Sequence, residues 1–179
     1  MKRVAAAILL MVLFGACNPK QSWKRNAIDT AEKKLMEDAK SGKVDTAAVN
    51  SLLAEYESYS ETYPSDTLGA AYLFKAADFY RYMRKPLKSI GVYEKIYERY
   101  PSIAKHPYAL FLQGFIYENE VGNPHAAKVL YEKFLEKYPN HLMAKDVRTT
   151  LENLGKTPEE LVAEFQARMQ QDSLAGAEK

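Results

Sequence analysis

The sequence predicts an all-α fold, a solenoid of helical hairpins with about eight helices. Three observations lead there: a segment recurs at a fixed period, apolar residues return every three or four positions, and prolines punctuate matched places. "VYEKIYERYP" (Val92 to Pro101) and "LYEKFLEKYP" (Leu130 to Pro139) are nearly the same phrase, 38 residues apart. The match extends backwards, pairing Ala71 with Ala109, Ala76 with Gly114, Phe79 with Tyr117 and Pro86 with Pro124. A weaker third copy, "AEYESYSETYP", ends at Tyr63-Pro64, 37 residues before Tyr100-Pro101. A period of this length marks stacked supersecondary units.

Each unit reads as two helices. The first helices are expected at about Asp66 to Met83 and Pro107 to Val121. In the second helices, Leu87, Ile90, Tyr93, Tyr97 and Tyr100 form one apolar stripe, and Ala127, Leu130, Tyr131, Phe134 and Tyr138 form its counterpart. Pro86 and Pro124 suit the first helical turn, where a missing N–H breaks no bond. Asn123 is a suitable N-cap. Pro101 and Pro139 close the units, since proline cannot extend the helix before it. Ala76 and Gly114 are small, as close helix-to-helix approach requires.

The flanks fit the same scheme. Ile28, Ala31 and Leu35 stripe a helix from about Trp23 to Ala39, and Asp45 opens the next, striped by Val49, Leu52, Leu53, Tyr56 and Tyr63. After Pro139 a helix is stopped by Gly155. Thr157, Pro158 and Glu160 then make a capping box for another. Residues 171–179 lack an apolar stripe and are expected to form a flexible tail.

This pattern resembles the tetratricopeptide repeat: a small residue in the first helix, an aromatic three positions later, then Tyr-Glu-Lys and a closing proline. Lys75 and Gln113 stand where that family usually has Leu. The resemblance implies a repeat domain over residues 23–170 that binds a protein or peptide against the first helix of each unit. Carried onto this sequence, the groove residues are Leu73, Ala77, Tyr80, Arg81, Tyr108, Phe111, Phe115, Glu118 and Asn119. Phe111 and Phe115 have a second reading, as packing against the neighbouring unit, and so do Tyr80 and Tyr108.

The N-terminus carries a separate message. Basic Lys2 and Arg3 precede an apolar run of 13 residues, Val4 to Ala16, and then Cys17. This is the layout of a signal peptide, too short for a permanent span of ~20 residues. "FGAC" resembles the bacterial lipobox, with Phe14 where Leu is usual. It implies cleavage after residue 16, lipidation of Cys17 and a short tether over residues 17–22. Cys17 is the chain's one cysteine, so it cannot form an internal disulfide. By resemblance to Gram-negative sorting, Asn18 favours the outer membrane, facing the periplasm.

Composition narrows the function. Of the 25 Lys and Arg, Lys2 and Arg3 precede Cys17, so the remaining 23 balance the 23 Asp and Glu. That balance gives no electrostatic footprint for nucleic acid, despite the interleaved "FYRYMRKP". His106, His125 and His141 have no partner at metal-ligand spacing, and no catalytic or cofactor motif occurs. His106 and His125 read as exposed turn residues. No metal, cofactor or enzymatic activity is therefore expected. The whole resembles small repeat lipoproteins of the Gram-negative envelope. That likeness implies a membrane-anchored interaction scaffold, with outer-membrane protein assembly as the leading context and a periplasmic accessory of cell-wall synthesis or division as the alternative.

Overall fold

The computed structural model describes residues 19–177, with side chains described as far as residue 171. Cys17 and the apolar run before it lie outside the described residues. Eight α-helices follow in order: α1 Pro19–Lys40, α2 Thr46–Thr62, α3 Leu68–Tyr82, α4 Pro86–Arg99, α5 His106–Ile116, α6 Pro124–Lys137, α7 Ala144–Asn153 and α8 Pro158–Ala177. A π-helical turn, Tyr117–Val121, continues α5. There is no strand among the described residues, and the fold is the all-α helical-hairpin repeat that the sequence predicts.

The punctuation works through local chemistry. The Asp45 carboxylate accepts from the Ala47 amide at 2.8 Å and the Asn123 side chain from the Ala126 amide at 3.0 Å, each satisfying an orphan donor of the first turn. Thr157 and Glu160 exchange the two bonds of a capping box, at 3.2 and 2.7 Å. The three repeat copies end identically. Tyr63, Tyr100 and Tyr138 all cap their helices with φ near −127° and ψ of 63°, 59° and 53°, each amide still bonded four residues back. Each tyrosine precedes a proline, whose ring excludes the α conformation from the residue before it.

The chain divides into two compact units between Phe79 and Tyr80, inside α3. In the first, α1 packs on α2 through Ile28, Leu52, Leu53, Tyr56 and Tyr59, all buried. Tyr72 of α3 stacks on Tyr56 at 5.2 Å and meets Tyr59 edge-on at 5.0 Å. A polar seam fastens α1: Arg25 and Gln21 both bond the Tyr59 hydroxyl and the Asp66 carboxylate, and Lys24 bonds Ser58. In the second unit α4, α5, α6 and α7 pack in succession. Its core joins Leu110, Ala127, Tyr131, Phe134 and Val147, all fully buried.

The described residues differ from the sequence reading at four places. Helix α1 already includes Pro19, the first described residue, so residues 19–22 are helical rather than tether. Helix α3 starts at Leu68 because the Asp66 carboxylate accepts from the Leu68 amide at 3.0 Å and so caps it. Helix α5 widens to π geometry before Val121, because the amides of both Gly122 and Asn123 converge on the Tyr117 carbonyl. Helix α8 runs on to Ala177, where the sequence reading expected fraying.

Candidate protein-interaction surface

Helix α5 sets a line of rings on the second unit. Tyr108, Phe111 and Phe115 recur at three and four residues, all half-buried. Phe111 lies deepest, within 5.8 Å of the Tyr131 ring, 6.2 Å of Phe115 and 6.3 Å of Phe134. The Tyr108 ring is held edge-on by His141 at 5.7 Å. Phe115 carries the Arg81 guanidinium above its face at 5.5 Å, a cation–π contact. Arg81 in turn grips Glu120, its Nη2 and Nε lying 2.6 and 2.7 Å from one carboxylate oxygen.

At that ion pair the line of rings opens into a cleft of about 580 Å³, lined by Arg81, Tyr82, Arg84, Pro86, Asn119 and Glu120. The π-helical turn delivers Asn119 and Glu120 to it, the last turn of α3 delivers Arg81, and the turn after α3 delivers Arg84. Arg84 has φ of +56°, and every other left-handed residue among those described is a glycine: Gly42, Gly122 and Gly155. Gly122 is the repeat-mate of Arg84, 38 residues on. An L-residue in this conformation costs about 1–2 kcal/mol relative to a right-handed one. The guanidinium of Arg84 has no hydrogen bond or ion pair among the described residues, so nothing within the fold compensates.

Under these rings the hairpin is closed by Gly114 of α5 against Tyr131 of α6, whose hydroxyl donates to Glu118 at 2.7 Å. Burial and that hydrogen bond push the Tyr131 phenol well above its usual range, so it stays a donor.

Residues 108–141 match the family model described as tetratricopeptide repeat.

No curated protein matches the chain. The matched stretch spans nearly all of α5, the π-helical turn, α6 and the turn to His141. Tetratricopeptide repeats are protein-interaction scaffolds, whose stacked helices offer an extended surface.

The repeat assigns places to the residues that the sequence singled out. Tyr108, Phe111, Phe115, Glu118 and Asn119 lie along α5 and its π-helical turn, with Arg81 joined to them through Phe115 and Glu120. Phe111 is mainly a packing residue, which is its second reading. Glu118 is engaged by Tyr131, and Asn119 donates to the Phe115 carbonyl at 2.9 Å while lining the cleft. Tyr80 is half-buried, with the Lys88 ammonium 5.6 Å above its ring. Leu73 and Ala77 need correction. Both are 0% exposed and present no side chain to a ligand. Helix α3 buries a broad band (Gly69, Ala70, Tyr72, Leu73, Ala76 and Ala77), wider than the stripe that alternating positions suggest.

Sequence reasoning missed Tyr82, Arg84, Pro86 and Glu120. Tyr82, 87% exposed, is the sharpest omission, since an aromatic this open is not packing. The available signal was the repeat alignment itself, which puts Arg84 against a turn glycine.

His106 also needs correction, because it is not an exposed turn residue. It stacks on Tyr97 at 4.4 Å, with Nε2 2.8 Å from the Tyr97 carbonyl and Nδ1 2.8 Å from the Tyr138 hydroxyl. A carbonyl only accepts, so Nε2 carries the proton. The departures at Lys75 and Gln113 are explained as well. Lys75 reaches Glu32 of α1 at 2.7 Å above the rings of Tyr56 and Tyr72, and Gln113 donates to the Ala109 carbonyl at 3.0 Å. Among the described residues no three His, Cys, Asp or Glu side chains are grouped to hold a metal ion.

Proposed function

We propose that this chain is a lipid-anchored protein of the bacterial envelope, facing the periplasm from the outer membrane, whose repeat holds an extended segment of a protein partner. Apolar side chains of the partner lie against Tyr108 and Phe115, and an acidic group enters the cleft beside Arg84. The observation that carries this reading is Arg84: a strained, unpaired cation kept where the matching repeat uses glycine. Residues held in sparsely populated backbone regions gather at binding sites. The aromatic-plus-arginine makeup is that of interface anchors. The layout of Lys2, the apolar run and Cys17 supports the anchor, and outer-membrane protein assembly is the proposed setting.

The array is short and offers a small surface, so affinity is modest, and a membrane tether compensates by raising effective concentration. The test places a photo-crosslinking amino acid at Tyr82 or Phe115 in living cells. Crosslinks to barrel-assembly components that disappear with Arg84→Gly support the full reading. Crosslinks to wall synthases move the protein to cell-wall metabolism. If these positions stay silent while the same probe at Val129 on α6 captures a partner, the binding surface lies elsewhere.

A further inference from the structure

We infer that the outer face of α1 centred on Trp23 is a membrane-contact surface, seated in the headgroup region of the bilayer that carries the anchor. The inference rests on the proposed lipidation of Cys17. Trp23 is 73% exposed, although tryptophan carries the largest apolar surface of any residue. At 100° per residue it points opposite the seam formed by Gln21, Arg25, Ile28 and Glu32, which fastens α1 to the rest of the first unit. Around Trp23 the exposed face continues through Pro19, Asn26, Ala27 and Thr30, with Lys20 and Lys34 as its basic members, whose long stems let a charge stay at the headgroups.

Chain length supplies the occupant. One residue, Asn18, separates Cys17 from Pro19, the first described residue of α1. Two residue steps reach at most about 7 Å and four helical steps add about 6 Å, so the Trp23 backbone lies within ~13 Å of the lipidated residue. The headgroup zone of one leaflet is about 5–7 Å deep. The tether is thus short enough to seat the exposed indole in that zone, where amphipathic aromatic rings are favoured. No helix among the described residues is long and apolar enough to cross a membrane, so the contact is interfacial. Because the seam holds α1 rigidly, seating Trp23 also fixes how the first unit stands on the bilayer.

Trp23 is the chain's one tryptophan, so its fluorescence reports this site alone. The lipidated protein is reconstituted into vesicles of phosphatidylethanolamine and phosphatidylglycerol, and flotation is scored alongside emission. The expected result is flotation with a blue-shifted emission, protection from acrylamide, and quenching by lipids brominated near the headgroup. Flotation with a water-like, acrylamide-accessible emission overturns the membrane face and leaves the anchor intact. Native protein that carries no lipid and fails to float overturns the anchor reading and the membrane face with it. A Trp23→Phe/Met36→Trp variant moves the probe to a side of α1 turned away from this face. Its emission is expected to remain water-like, and a blue shift there would overturn the assignment of the face.

Discussion

A Cβ built on Gly114 falls 2.8 Å from Cε1 of Tyr131 and 3.0 Å from its Cδ1. Tyr131 is fully buried and its hydroxyl is tied to Glu118, so the ring has little room to retreat. Gly114→Leu should therefore lose ~1–3 kcal/mol to overpacking, and Gly114→Ala should lose stability despite its better helix propensity. Gly91 in α4 is the contrast, because a Cβ there meets nothing within 4 Å. Gly91→Ala should gain roughly 0.5–1 kcal/mol. Urea titrations of the three variants check this, and equal signs at Gly114→Ala and Gly91→Ala would refute it.

Arg84→Gly should stabilise the fold while weakening partner capture. Relief of the left-handed strain returns about 1–2 kcal/mol, and the greater unfolded freedom of glycine takes back roughly 0.5–1. A melting temperature at or above that of the parent, with crosslinking from Tyr82 lost, is the expected pair of results. A drop in stability would show that Arg84 is held by its neighbours.

Acid should loosen the seam of the first unit. Burial pushes the Asp66 carboxyl up, but hydrogen bonds from Tyr59, the Leu68 amide and Arg25 together hold it below its usual range. A lowered folded value means that this contribution is present above the unfolded carboxylate value of about 3.9 and fades as pH falls through the folded one. Asp66→Asn should be less stable at neutral pH and should lose less further stability on acidification. Circular dichroism with urea at several pH values tests this, and parallel acid limbs for the two proteins would rule it out.

His106 should show the Nε2–H tautomer in nitrogen NMR, since the Tyr97 carbonyl at 2.8 Å needs a donor. Tyr138→Phe removes the bond at Nδ1 and should lose about 1 kcal/mol without changing the tautomer. An Nδ1–H signal would contradict the arrangement.

The sequence by itself determined the helices and most of their caps and stops. Asp45, Asn123 and Thr157 cap through side chains that reach only two or three residues, and each Tyr-Pro pair stops a helix by a clash between neighbours, so these effects are readable from a short window. The likeness to the tetratricopeptide repeat, which a family model matches over residues 108–141, was legible for the same reason: its stripe and punctuation are local and periodic. Tertiary structure decided which side chains remain available. Leu73 and Ala77 became core because α3 is covered over a broad band, and His106 became a bridge because Tyr97 and Tyr138 approach it from two other helix ends. Lys75 depends on Glu32, 43 residues away. The cleft exists because the π-helical turn brings Glu120 onto Arg81, 39 residues distant, beside a left-handed Arg84. Burial and ion pairing are set by which surfaces meet, and no short stretch of chain contains that information.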